Sequence, residues 1–222
     1  MKKLSTLLVA FLFTAGMAFA QDNDASIDQV GNNHHAEIDQ YGSLNLATID
    51  QNANGSDEAY IDQLGDENTA SIEQWGAAGS HYAVTDQEGN DNNASQSQGI
   101  WGSGNAVATI TQLGDNNEAT QSQYSNKDTD AEIVQEGDNN EAIQDQSVGF
   151  SGDWVAGHFA LIDQFGDDNF AIQDQSGGNH SSTIYQIGDF NEATVLQSGL
   201  GQSGVVNQTG NSNTSFITQG ND

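Results

Sequence analysis

Seventeen glutamines close the same five-residue pattern, Ala-x-Ile-x-Gln: Gln29, Gln40, Gln51, Gln63, Gln74, Gln87, Gln98, Gln112, Gln123, Gln135, Gln146, Gln164, Gln175, Gln186, Gln197, Gln208 and Gln219. A primary amide is neither a nucleophile nor an acid–base group. Its chemistry is to donate and accept hydrogen bonds, and when repeated through a stack it can donate to one neighbour and accept from the other. Eight asparagines form a second set, each five residues after one of these glutamines: Asn45, Asn68, Asn92, Asn117, Asn140, Asn169, Asn191 and Asn213. The 32 Asp and Glu could in principle supply paired catalytic carboxylates or cation ligands. Nine of them instead recur directly before the glutamine, by register rather than at one place, so no catalytic residue is assigned. His34, His35, His81, His158 and His180 fall in or beside turns, without a ligand spacing such as His-Glu-x-x-His. They are expected to be polar turn residues, and no metal or other cofactor is implied. The absence of Cys excludes disulfides, thiolate zinc sites and cysteine nucleophiles.

The elements that must position these amides follow from the spacing. Four residues before the glutamine, fourteen copies have Ala, the exceptions being Ser182, Gly204 and Ser215. Two before it, ten have Ile, two Val (Val195, Val206), one Thr85, and four another Gln. These alternate positions share one face of a strand, whereas a helix would scatter them. After Gln40, Gln63, Gln87, Gln112, Gln135, Gln164, Gln186 and Gln208 the next glutamine always follows eleven residues later, with Gly at the second position and Asn at the fifth. After the others the gap runs from eleven to eighteen, and the fifth residue is never Asn. One fixed turn and one tolerant turn alternate, which describes an all-β, two-sheet β-solenoid. Its strand-turn-strand rungs are about 22–25 residues long, with one of 29. Eight rungs run from Ala36 to Gln219, after an N-terminal half-rung from Ala25 to Gln29. At about 4.8 Å per rung the stack is roughly 40 Å tall, with Ala, Ile and Gln of the two sheets meeting in a thin dry core. Its extreme strands leave open ladders of the kind that template further chains, giving cross-β on assembly.

Composition alone reads differently. A chain of 222 residues with 35% hydrophobic residues, a mean hydropathy of −0.58 and a formal charge of −29 has the signature of disorder. The order of the residues overrides it, and the absence of Pro fits strands whose N–H groups are all needed. The acidity disfavours nucleic acid and anionic membrane as main partners, since both need positive charge. Met1 to Ala20 reads as a signal peptide: Lys2 and Lys3, an apolar run from Leu7 to Phe13, and Ala18-Phe19-Ala20 before a cleavage site. The run is too short to span a bilayer, so no membrane span is expected in the mature chain. The expected organisation is residues 1–20 signal peptide, 21–24 a short N-terminal segment and 25–222 the repeat solenoid. Removing the signal peptide leaves Lys127 as the only base against all 32 acidic residues.

The fixed-turn unit reads Gln-x-Gly-x-x-Asn-x-Ala-x-x-x-Gln. It is complete at Gln63-Gly65-Asn68-Ala70-Gln74 and again from Gln40, Gln87, Gln112, Gln135, Gln164 and Gln186, while the unit from Gln208 has Ser215 for Ala. This pattern resembles the curlin repeat of the curli subunits, the functional amyloid of bacterial biofilms. The resemblance implies a secreted structural subunit that polymerises with itself into extracellular fibres on the bacterial surface, for adhesion and biofilm matrix. The implied partners are further copies, a related nucleator subunit and an outer-membrane secretion pore. Curli subunits carry a longer segment before their repeats than the Gln21 to Asp24 present here.

Two other classes are weighed. Turns such as Gly65-Asp66-Glu67-Asn68 suggest a monomeric calcium-binding β-solenoid surface protein, but that fold uses a nine-residue Gly-Gly-x-Gly-x-Asp unit. A parallel β-helix enzyme needs a cleft that five-residue strands in pairs do not leave. The longest tolerant turn displays Phe150, Trp154 and Phe159, and another carries Ile100-Trp101. Those aromatics serve either to bind a surface or nucleator or to cover a sheet edge.

Overall fold

The computed structural model describes residues 22–53, 55–76, 79–100, 105–125, 128–147 and 157–220. Within them seventeen strands follow one another: β1 (Asp24–Gly31), β2 (His35–Tyr41), β3 (Leu46–Ala53), β4 (Glu58–Leu64), β5 (Thr69–Gly76), β6 (Tyr82–Glu88), β7 (Asn93–Ile100), β8 (Ala106–Leu113), β9 (Glu118–Ser125), β10 (Thr129–Glu136), β11 (Glu141–Ser147), β12 (Phe159–Phe165), β13 (Phe170–Gly178), β14 (Ser181–Ile187), β15 (Glu192–Leu200), β16 (Ser203–Thr209) and β17 (Thr214–Gly220). The described residues contain no helix. Odd-numbered strands stack in order as a nine-stranded sheet and even-numbered strands as an eight-stranded one. The chain is therefore a two-sheet solenoid of eight full rungs with β1 as an extra half-rung.

Every neighbouring pair is parallel, and the register repeats the motif upon itself. Ala131, Ile133 and Gln135 of β10, for example, lie against Ala108, Ile110 and Gln112 on one side and Ala160, Ile162 and Gln164 on the other. A one-residue slip would turn all three out of the core, so the alternation pins the register. The buried face is mainly Ala, Ile and Gln, with Thr85, Ser182, Val195 and Val206 as exceptions; Ile72, Ile110, Ile133, Ile162 and Ile184 are wholly inaccessible to solvent. Strands run seven to nine residues rather than the expected five. The reason lies at the corners, where turn residues continue the ladder: the Leu46 N–H donates to Asn68 O and the Glu118 N–H to Asn140 O.

The apolar core is not continuous. One cluster holds Ala47, Ile49, Ala59, Ile61, Ala70, Ile72 and Ala83, and a second begins at Ala94 and Ile110. They part where Thr85 of β6 and Gln96 of β7 occupy the places that Ile fills in the rungs below.

The β1 segment also begins earlier than the repeat boundary at Ala25. Asp24 pairs with Leu46, and Asn23 accepts a bond from the rung above, so this part of residues 21–24 belongs to the stack.

Candidate functional site

The glutamines form two continuous amide ladders, one at the edge of each sheet's inner face. In the odd sheet Nε2 of Gln29 donates to Oε1 of Gln51, and the series continues through Gln74, Gln98, Gln123, Gln146, Gln175 and Gln197 to Gln219, at 2.6–3.1 Å. In the even sheet it runs from Gln40 through Gln63, Gln87, Gln112, Gln135, Gln164 and Gln186 to Gln208 at 2.8–3.0 Å. The direction is constant: each Nε2 gives to the rung of higher number. The second N–H of the same amide crosses the core to a backbone carbonyl of the opposite sheet, as Gln135 does to Glu118 O and Gln146 to Asp130 O. One side chain thereby joins two rungs and two sheets, and from Gln51 to Gln197 these amides are at most 2% exposed. Burying an amide is costly unless it is satisfied, and the stacking satisfies it.

The four glutamines that stand two residues before Gln98, Gln123, Gln146 and Gln175 form a third ladder. Gln96, Gln121, Gln144 and Gln173 are linked at 3.0–3.1 Å and each bonds a carbonyl of the even sheet. The repeat shows them as four departures from Ile. Their place in four consecutive odd strands is the signal that they stack, and the cost appears at the end, where Gln96 Oε1 faces Ile72 and has no partner.

The fixed turn has its own column. Oδ1 of each asparagine accepts the backbone N–H of the asparagine one rung on: Asn68 to Asn45, Asn92 to Asn68, Asn117 to Asn92, Asn140 to Asn117, Asn169 to Asn140, Asn191 to Asn169 and Asn213 to Asn191, at 2.9–3.1 Å. Asn23 begins the series and is a member that the eight-residue set omits. Nδ2 reaches the carbonyl of the turn glycine above, as Asn140 does to Gly166 at 2.8 Å. The turn glycines Gly42, Gly65, Gly89, Gly114, Gly137, Gly166, Gly188 and Gly210 hold φ between +104° and +129°, where a Cβ is strongly disfavoured. Beside this column Asp115, Asp138, Asp167 and Asp189 each accept a backbone N–H from the rung below through Oδ1. Among the described residues no three ligating side chains converge on a point that would hold a metal.

The acidic positions before the glutamines face outward, in columns. Asp39, Asp62 and Asp86 are stacked neighbours on the even sheet, Asp28, Asp50 and Glu73 on the odd one, and Asp145 lies against Asp174. Burial first, then Asp86 and Asp39, push the Asp62 carboxyl above its usual range; burial and Glu88 do so for Asp86, and burial and Asp174 for Asp145. A carboxyl raised in the folded state protonates there more readily than in the unfolded chain. Its ionised form therefore opposes the fold at neutral pH, and stability returns as pH falls through the raised values toward 3.8.

On the tolerant edge His34, His81, His158 and His180 lie in turns and His35 opens β2, and four of the five have buried side chains rather than solvated ones. His34, His81, His158 and His180 each stand six residues before an even-strand glutamine, the same offset that Asn holds on the other edge. Their side chains or residues are 2–3% exposed, and Asp57, in the same column, is fully buried. His35 alone faces solvent, against the Tyr60 ring at 5.4 Å. Phe159 opens β12 and is exposed. Phe150, Trp154, Trp101, the Ile100 side chain and the whole of residues 1–20 lie outside the described residues. A separate aromatic contact joins Trp75 to Tyr124 over Gly99, with ring centroids 5.9 Å apart.

The Curlin associated repeat family model matches residues 20–52, 159–188 and 188–220. No curated protein and no solved structure matches the chain.

Proposed function

Because the chain belongs to the curlin repeat family, we propose that it is a secreted structural subunit that polymerises with itself into extracellular, curli-type amyloid fibres serving adhesion and biofilm matrix. The observation that carries this reading is the continuity of the amide ladders up to strands that remain exposed. All eight residues of β1 are open to solvent, and β17 presents Phe216 at 66% exposure beside half-buried Ile217 and Gln219. Rungs are interchangeable at every ladder position, so a second copy offers such a strand the partner that an interior rung already has. Residues 1–20 direct export, and a nucleator subunit and an outer-membrane pore are the further partners. The repeat and the solenoid are structural, and no residue is assigned a catalytic role. Among the described residues no helix is long and apolar enough to cross a membrane.

Purified chain without residues 1–20, held at tens of micromolar, is expected to give fibres by electron microscopy, a thioflavin signal and a fibre reflection near 4.8 Å. A chain that stays monomeric for days with no thioflavin signal would overturn the proposal.

The outer carboxylates set the pace of this assembly. Like charges directly opposite in a sheet cost about 0.2–1 kcal/mol per pair. Replacing Asp62 and Asp86 together by Asn is therefore expected to shorten the lag at pH 7 roughly two- to fivefold. Calcium should shorten the lag of the parent chain more than that of the variant. Equal lags with and without calcium in both chains would remove charge repulsion as the brake.

A further inference from the structure

The tolerant edge repeats the chemistry of the asparagine column with a group that titrates. Where Asn Oδ1 accepts the next rung's N–H, His158 Nδ1 accepts the N–H of His180 at 3.4 Å and His180 Nδ1 accepts that of Gln202 at 3.2 Å. The two rings stack, with centroids 5.2 Å apart and planes 11° from parallel, and both residues are at most 3% exposed. His180 Nε2 lies 3.2 Å from Ser176 O, which fixes the tautomer: Nε2 carries the hydrogen and Nδ1 keeps the lone pair. An Nδ1 that takes a proton from water can no longer accept. Two backbone N–H groups then lose their acceptor, and two cations are left face to face in a buried column.

We infer that the His158–His180 stack makes this edge of the solenoid acid-labile: the rungs from β12 to β16 keep their tolerant corners at neutral pH and open them in mild acid. The groups around the stack do not reverse this. Among the described residues Asp128 and Asp130 are the charged side chains lining the surrounding hollow on the β10 side, and on the β14 side stand Asn179 and Ser181, which are neutral. The carbonyls of Ser147 and Gly177, at the ends of β11 and within β13, also favour a protonated His158, but burial and then His180 outweigh them and hold it down at about 4 from 6.5. The unfolded chain thus takes up a proton that the folded edge refuses. Stability is intact above pH 6.5 and is drained as pH falls from 6.5 to about 4. The sign is opposite to that of the outer carboxylates.

The other described histidines lack a stacked histidine partner, although His34 Nδ1 likewise accepts the N–H of Asp57, at 3.3 Å. His34 Nδ1 lies 3.4 Å from Asp57 Oδ2, so a protonated His34 finds a counter-charge. Burial lowers His81 while Asp57 opposes the shift.

The inference concerns the folded rungs and is measured on fibres or on folded soluble chain alike, so it fails or holds apart from the assembly proposal. His158→Asn with His180→Asn keeps a neutral acceptor at both places, the one the opposite edge already uses. Amide hydrogen exchange at residues 180 and 202, corrected for intrinsic rate, is expected to speed up at least tenfold in the parent chain between pH 7.5 and 5. In the double variant it should stay unchanged. Equal protection at both pH values in the parent chain, or parallel loss in both chains, would overturn the inference. Nitrogen-15 spectra of the imidazoles give an independent reading that needs no variant. His158 should still be neutral at pH 5.5, and a His158 ring already protonated there would equally overturn it.

Discussion

Replacing Gln135 by Leu is expected to destabilise the folded stack by about 3–9 kcal/mol, from three interrupted hydrogen bonds at roughly 1–3 kcal/mol for each buried group left without a partner. Gln135 donates to Gln164 Oε1 and to Glu118 O, and accepts from Gln112 Nε2. Leu fills nearly the same space, so the change removes the amide and little packing. All of these partners sit in interior rungs, where water cannot replace the missing group without opening the sheet. The control is Gln29→Leu in the exposed β1, where one bond to Gln51 is lost beside solvent and the expected cost is below about 1 kcal/mol. Guanidinium midpoints of the two variants decide the matter. Equal shifts would mean that the amides do not act as a buried ladder.

Gly137→Ala is the second large effect, about 2–4 kcal/mol from backbone strain and one lost hydrogen bond. At φ +120° the added Cβ would overlap Gly166 O in the rung above, the carbonyl that accepts Asn140 Nδ2. Ala therefore both strains its own backbone and pries two rungs apart at the fixed corner. Gly201 supplies the comparison, in the tolerant turn between β15 and β16. Its φ is +69°, and a Cβ there meets nothing within 4 Å. Gly201→Ala should cost only the left-handed conformation, about 1–2 kcal/mol. A thermal melt of each variant separates them, and the fixed-corner argument fails if Gly201→Ala is the more damaging.

These contrasts explain what could be read in the sequence. In a parallel, in-register stack, distance from the glutamine is position in space, so the period alone led to two sheets, a fixed and a tolerant corner, and eight rungs. The same logic placed Asn45 through Asn213 on one edge. The other edge is hidden in offsets that run forward from each glutamine, because the turns there vary in length. Counted backward from the next glutamine, His34, Asp57, His81, Thr129, His158, His180 and Gln202 fall at one offset, with Ala106 completing the column. Burial of that column was also hidden, since a turn histidine carries no mark of whether a rung covers it. Gln96, Gln121, Gln144 and Gln173 were visible as deviations, yet only the odd–even alternation of strands brings them onto one sheet. Strand length escaped because the corner bonds belong to residues outside the motif.

One property of the amide ladders reaches beyond a single chain. Since one Nε2–H of each ladder glutamine gives toward the higher-numbered rung, a cut anywhere through the glutamine ladders exposes amide donors on one side and amide acceptors on the other. A filament built by adding such stacks head to tail is a vector, with a leading tip and a trailing tip of unlike chemistry. The two tips must then extend at different rates. A molecule that offers a row of carbonyls would stop the donor tip and leave the other growing.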